Sequence, residues 1–138
     1  MAKWIRNQYD KALTYENLMN AHKMSKKGKG LRREVILFSL KEEEYIEYLY
    51  EKLKTGTYVH GKYSAFKVYE PKERIIEKAP YIDRIVHRWI VDNFLVPYYV
   101  PSFIKTTYAC IKGRGMHQAT LDLQKAMQKM KKSYREYY

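Results

Sequence analysis

Between Tyr58 and Ala79 the spacing of apolar residues falls from the helical period to the period of two of an extended chain, and after Pro80 it returns. Any fold for this chain must therefore set at least one extended element among helices. Phe66 and Val68 alternate with Lys67 and Tyr69, Glu70-Pro71-Lys72-Glu73 places proline at the second position of a turn, and Arg74, Ile75 and Ile76 resume the extended run. The segment predicts a β-hairpin with a charged tip.

Four helices and some short strands are predicted in all. The first helix runs from about Thr14, a capping residue, to Lys27, with Leu18, Met19 and His22 on one face and Gly28 as its stop. Glu34 to Phe38 predicts a short buried strand. Ser39 and Glu42 make a capping box, after which Tyr45, Ile46, Leu49 and Leu53 follow at helical spacing as far as Gly56. Pro80 suits the first turn of a third helix. There Ile82, Ile85, Val86, Trp89 and Ile90 form an apolar stripe opposite Asp83, Arg84, His87, Arg88 and Asp92, and Pro97 and Pro101 end the helix. A loop through Lys112-Gly113-Arg114-Gly115 leads to a last helix, whose Met116, Thr120, Leu123, Met127 and Met130 share a face with Ala119 and Ala126. The fold class is α+β, mainly helical with a β-hairpin. At 138 residues and 46% apolar content, one compact domain is expected.

Charge narrows the partners. Lys and Arg number 27 against 15 Asp and Glu, a net charge of +12, which favours nucleic acid first and an anionic membrane second. The charge comes in blocks. His22 to Arg33 holds six basic residues and no acid, Lys125 to Tyr138 holds five against Glu136 alone, and five acids crowd into Glu42 to Glu51. One basic and one acidic face would orient a polyanion. Lys26, Lys27, Lys29, Arg32 and Arg33 are candidate nucleic-acid contacts, a solvated disordered loop being the alternative for Ser25 to Gly30. Fifteen tyrosines lie among the basic residues. Some of these rings can stack on unpaired bases while the cations hold phosphates.

The chemistry of the remaining motifs is sparse. Cys110 is the single cysteine, read as a small buried apolar residue in a reducing compartment. With no apolar run of the roughly 20 residues that span a bilayer and no leader-like start, a cytoplasmic protein without membrane contact is expected. Asp83 and His87 stand four apart beside Arg84 and Arg88, the pattern of a surface ion-pair network rather than of metal ligands. No nucleophile motif surrounds Cys110, and no metal site is assigned. In Lys112-Gly113-Arg114-Gly115-Met116-His117 the glycines let backbone N–H groups approach a phosphate while Lys112 and Arg114 add charge. A plain helix-initiating loop is the alternative, and His117 is equally a capping or packed residue. Lys72 and Arg74 flank the hairpin turn, so two cations project from an arm able to close on a phosphate chain, an ordinary solvated turn being the alternative.

Several spaced motifs together carry a family likeness. Tyr63 to Ile76, then Ala79-Pro80-Tyr81-Ile82-Asp83-Arg84-Ile85-Val86-His87, Pro101-Ser102-Phe103-Ile104, Thr107-Tyr108-Ala109-Cys110 and Gly113-Arg114-Gly115-Met116-His117-Gln118-Ala119 follow in order. This order resembles the N-terminal half of bacterial reverse transcriptases of the retron, group II intron and diversity-generating-retroelement type. The resemblance covers about Tyr58 to Met130, and more loosely Leu18 to Gly30. It implies the fingers and start of the palm of a right-hand polymerase fold over residues 1–138, with RNA template, DNA and deoxynucleotide triphosphates as partners. Lys72 and Arg74 would then approach the incoming triphosphate, and Lys112, Gly113, Arg114, Gly115 and His117 would line the template path. Arg84 and His87, under the hairpin, would be structural. Such polymerases hold two metal ions, magnesium in a complete enzyme, on palm aspartates that include a YxDD turn. After Asp83 the acids here are Asp92, Asp122 and Glu136, and no two aspartates are adjacent. The polypeptide is therefore expected to bind without catalysing, as a truncated piece, a degenerate gene or a fragment completed by a second chain. Self-association or a separate palm segment is the expected partnership. A free-standing RNA- or DNA-binding module and an interaction subunit are the alternatives.

Overall fold

The structure, a computed structural model, describes residues 7–135; Glu136, near the end of the C-terminal basic block, lies outside them. The chain divides into two compact units, Met1–Pro97 and Tyr98–Tyr138.

The first unit opens with α1 (Gln8–Ala12) and α2 (Tyr15–Lys26). Thr14 caps α2, its hydroxyl oxygen accepting the Asn17 N–H at 3.2 Å, and Gly28 at φ 71° lets the chain turn away after the last turn. Next come α3 (Arg33–Leu40) and α4 (Glu42–Lys54), the hairpin strands β1 (Ser64–Val68) and β2 (Arg74–Lys78), and α5 (Tyr81–Ile90). The strands pair antiparallel, Phe66 opposite Ile76 and Val68 opposite Arg74. A mainly helical fold with one small hairpin is thus in place.

Four local expectations are corrected. Glu34 to Phe38 lies in α3 and is no strand: Val35 and Phe38, three apart, are buried, while Ile36 and Leu37 are 43% and 53% exposed. Short apolar runs fit either period, and here the burial pattern is helical. Ser39 consequently sits inside α3 with its hydroxyl buried and unpartnered, and Lys41 precedes α4 without a side-chain cap. Asp83 belongs to the buried side of α5, at 1% exposure, rather than to its polar face. Pro97 and Pro101 do not end the third helix. A π-helical turn at Val91–Leu95 follows α5, and α6 (Val96–Tyr99) and a 3-10 turn (Val100–Ser102) follow that. The backbone stays right-handed helical from Ile90 through Val96, so the helical path runs on past Pro97 by way of the widened turn.

Leu18, Val35, Ile46, Leu49, Ile85, Val86 and Trp89 make the core between α2, α3, α4 and α5. Trp89 donates its indole N–H to the Ala12 carbonyl at 2.9 Å and meets Tyr9 and Phe94 edge to face, which fastens α1 to α5. Tyr9 donates to the Leu53 carbonyl at 2.7 Å and ties the same helix to the end of α4.

His22 is buried in this core at 1% exposure, its Nδ1 3.1 Å from the Tyr81 hydroxyl and its Nε2 3.3 Å from a Glu42 oxygen. Burial holds its pKa below the ordinary value, Lys26 and Lys23 act the same way, and Glu42 opposes them. The unfolded chain, with a histidine pKa of about 6.5, then takes up the proton first as pH falls. Stability carried by neutral His22 is present above about pH 6.5 and lost below it. The thermal midpoint is expected to drop between about pH 7.5 and 5.5 and to flatten in His22→Gln; an equal drop in the variant would assign the effect to other groups.

In the second unit the loop after Ser102 leads to α7 (Met116–Arg135). Tyr108 donates to Asp122 at 2.7 Å, pinning that loop on the helix. Cys110 is exposed at φ 59°, contrary to its expected burial: the left-handed backbone places it in a surface turn. No helix among the described residues is long and apolar enough to cross a membrane.

Candidate nucleic-acid interface

The hairpin is exposed along most of its length, and its side-chain anchors among the described residues lie at its root. On the β1 side, the buried Asp83 carboxylate accepts the Tyr58 hydroxyl on one oxygen and the Gly61 N–H at 3.0 Å on the other. Burial and this carboxylate raise the Tyr58 pKa far above its usual value, so the phenol stays protonated and donating. A Cβ at Gly61 would sit 2.9 Å from Pro80 Cγ and 3.0 Å from Asp83 Oδ2, so only glycine fits beneath this latch. The His60 ring stacks between Tyr63 and His87, with centroids 4.9 and 5.2 Å away, and adds a second link from the strand approach to α5.

On the β2 side, Glu34 takes Lys78 at 2.8 Å and Arg84 at 2.5 Å. Burial pushes the Glu34 carboxyl up, but hydrogen bonds and charge from these two cations outweigh it and hold the pKa below the usual range. Both ends of the arm are therefore anchored to helices. At the tip, Lys67 pairs with Glu73 at 2.7 Å, while Lys72 and Arg74 are exposed. Tyr63, Phe66, Tyr69 and Ile75 are exposed along it as well, so the hairpin's apolar side chains do not feed the core.

The basic segment joins the arm's root. Lys26 to Arg32 forms turns, with the Lys29 N–H on the Lys26 carbonyl at 2.9 Å and the Arg32 N–H on the Lys29 carbonyl at 3.1 Å. Lys27, Lys29, Arg32 and Arg33 are exposed, and Arg32 and Arg33 line a shallow groove with Lys78 of β2. Arg74 lies four residues up the same strand, about 13 Å away at 3.3 Å per residue. Arg32 and Arg33 thus lie beside the root of the arm, with Glu34 in the same groove.

Lys112, Gly113, Arg114, Gly115 and His117 belong to the second unit. Gly113 has φ 81°, and Gly115 accepts the Ala119 N–H as α7 begins. Arg114 is bent back to donate to the Ile104 carbonyl at 3.3 Å, while Lys112 and His117 are exposed. The bend and the hairpin are not brought together within either unit. On α7, Met116, Leu123, Met127 and Met130 are all exposed.

Three features were missed in the sequence. Asp83 reads as polar surface, although its spacing of three from Val86 puts it beside the apolar stripe. Glu34 as a charge hub was hidden by the strand assignment, and α1 has too few residues to show a period. Among the described residues no group of three His, Cys, Asp or Glu side chains is placed to hold a metal ion. No protein-family model matches the chain, and no curated protein matches it.

Proposed function

We propose that the chain is the fingers and proximal palm part of an RNA-directed DNA polymerase of the bacterial reverse-transcriptase type, gripping template nucleic acid and nucleotide phosphates without performing the chemistry itself. The observation that carries this reading is the root-anchored, exposed hairpin bearing Lys72 and Arg74, with Arg32 and Arg33 beside its root. Phosphates of the strand lie along the basic segment, exposed rings on the arm stack against bases, and the arm's tip meets the triphosphate. Clamping at the root limits the entropy lost when the arm closes. Titration of a single-stranded RNA at rising salt tests the reading, since phosphate contacts make affinity fall steeply with ionic strength. A flat response would overturn it.

A second reading is favoured by the exposed apolar face of α7. An interaction subunit would cover Met116, Leu123, Met127 and Met130 in a complex. The chain is then expected to self-associate at micromolar concentration in sedimentation velocity, with Leu123→Glu and Met127→Glu together restoring the monomer. A monomeric profile throughout would remove self-association.

A further inference from the structure

Between the end of α2 and α5 lies a cleft of about 320 Å3 whose lining includes Ser25, Lys29, Tyr81, Arg84, His87 and Arg88 and no carboxylate. From these residues we infer a phosphate-binding site, which the sequence reading of Arg84, His87 and Arg88 as surface ion pairs does not contain. The inference takes the identity of the macromolecule from the nucleic-acid reading above, but not the affinity for phosphate.

Three observations converge on it. The first is charge: of the three cations that line the cleft, Arg88 pairs with Asp92 and Arg84 with Glu34, a carboxylate that Lys78 outside the cleft also occupies, so the lining keeps a surplus of positive charge. Lys29 takes no part in those pairs. The second is Arg84 itself. One of its amino nitrogens is on Glu34 and its guanidinium lies 5.1 Å from the Tyr81 ring centre, so the group is held in place, yet its buried Nε–H has no acceptor from the protein. The Nε–H is covered, but the side chain as a whole is 23% exposed and lines the cleft, so a phosphate there meets a guanidinium already fixed in place, whose Nε–H reports on its binding. The third is the wall. Ser25 offers a hydroxyl beside the cations, and Met24, Tyr81 and Val91 supply apolar surface for the sugar or base that carries the phosphate. Asp92 holds Arg88 by its Nε at 2.7 Å, which leaves that residue's terminal nitrogens to turn into the cleft.

The phosphate can be that of a nucleotide or a backbone phosphate of RNA, and the test separates them. Two-dimensional NMR follows the Arg84 Nε–H and the Lys29 and Arg88 amides during titration with adenosine 5′-monophosphate and, separately, with a short single-stranded RNA. The full chain and Lys29→Gln/Arg88→Gln are compared. Arg84 is left intact because it ties Glu34. The expected result is movement of the Arg84 Nε–H signal with at least one probe, and RNA binding weakened about tenfold in the double variant at about 100 mM salt, the order expected for two lost phosphate contacts. Movement with the mononucleotide alone, without RNA binding, sustains the site and overturns the polymerase reading. RNA binding that leaves the Arg84 signal still and is equal in the variant overturns the site and leaves that reading standing. No movement with either probe overturns the site.

Discussion

Raising salt from about 50 to 200 mM is expected to weaken the binding of single-stranded RNA by roughly 300-fold, for about six phosphate contacts at a slope near 0.7 per contact. The count takes about six of the seven candidate contacts Lys26, Lys27, Lys29, Arg32, Arg33, Lys72 and Arg74 as engaged at once, none of which forms a salt bridge among the described residues. Lys41, Lys67 and Lys78 are neutralised in place by Glu44, Glu73 and Glu34, and release fewer counterions on binding. Lys72→Ala with Arg74→Ala is expected to reduce the log–log slope by about 1.4 and to leave the thermal midpoint where it was, because both side chains are exposed. A slope unchanged by the double substitution would place the arm outside the interface. In an enzyme that joins nucleotides, the same pair should raise the nucleotide KM.

Asp83→Asn is expected to cost the first unit about 3 kcal/mol, since it leaves buried donors without an anionic acceptor. The carboxylate presently accepts from the Tyr58 hydroxyl and the Gly61 N–H on its two oxygens. An amide has one oxygen and one NH2 group, so one of those donors must face another donor. In a domain of this size the loss corresponds to a fall in the thermal midpoint of roughly 15 °C. Tyr58→Phe, which removes one donor, is expected to cost about 1 kcal/mol alone and less when combined with Asp83→Asn. That coupling identifies the latch, whereas strict additivity would show that the two residues act separately. Because the latch sets the root of the hairpin, RNA affinity at low salt should fall as well at temperatures where the variant is still folded.

The sequence carried the elements whose signals are local. Thr14 and Gly28 bounding α2, the stripe through Ile46, Leu49 and Leu53, and the turn chemistry between Val68 and Arg74 depend on residues within a few positions of each other. The hairpin and its two exposed cations were therefore legible, as was the basic stretch. The errors fall where a local pattern is degenerate. Five residues from Glu34 to Phe38 suit a strand or a helix, and which one forms depends on Val35 and Phe38 finding the core. Cys110 is small and apolar enough for an interior, and only its surface turn excludes it.

By itself the amino-acid order determined a mainly helical chain with one charged hairpin and an excess of positive charge, because periodicity, turn residues and net charge need no knowledge of distant neighbours. Only the tertiary structure decided what Asp83, Glu34 and Arg84 do. Tyr58 and Gly61 reach Asp83 from 25 and 22 positions away, and Glu34 meets Arg84 across 50. Burial turns such a residue from a solvated charge into an anchor, and burial is a property of the packed helices rather than of the residue.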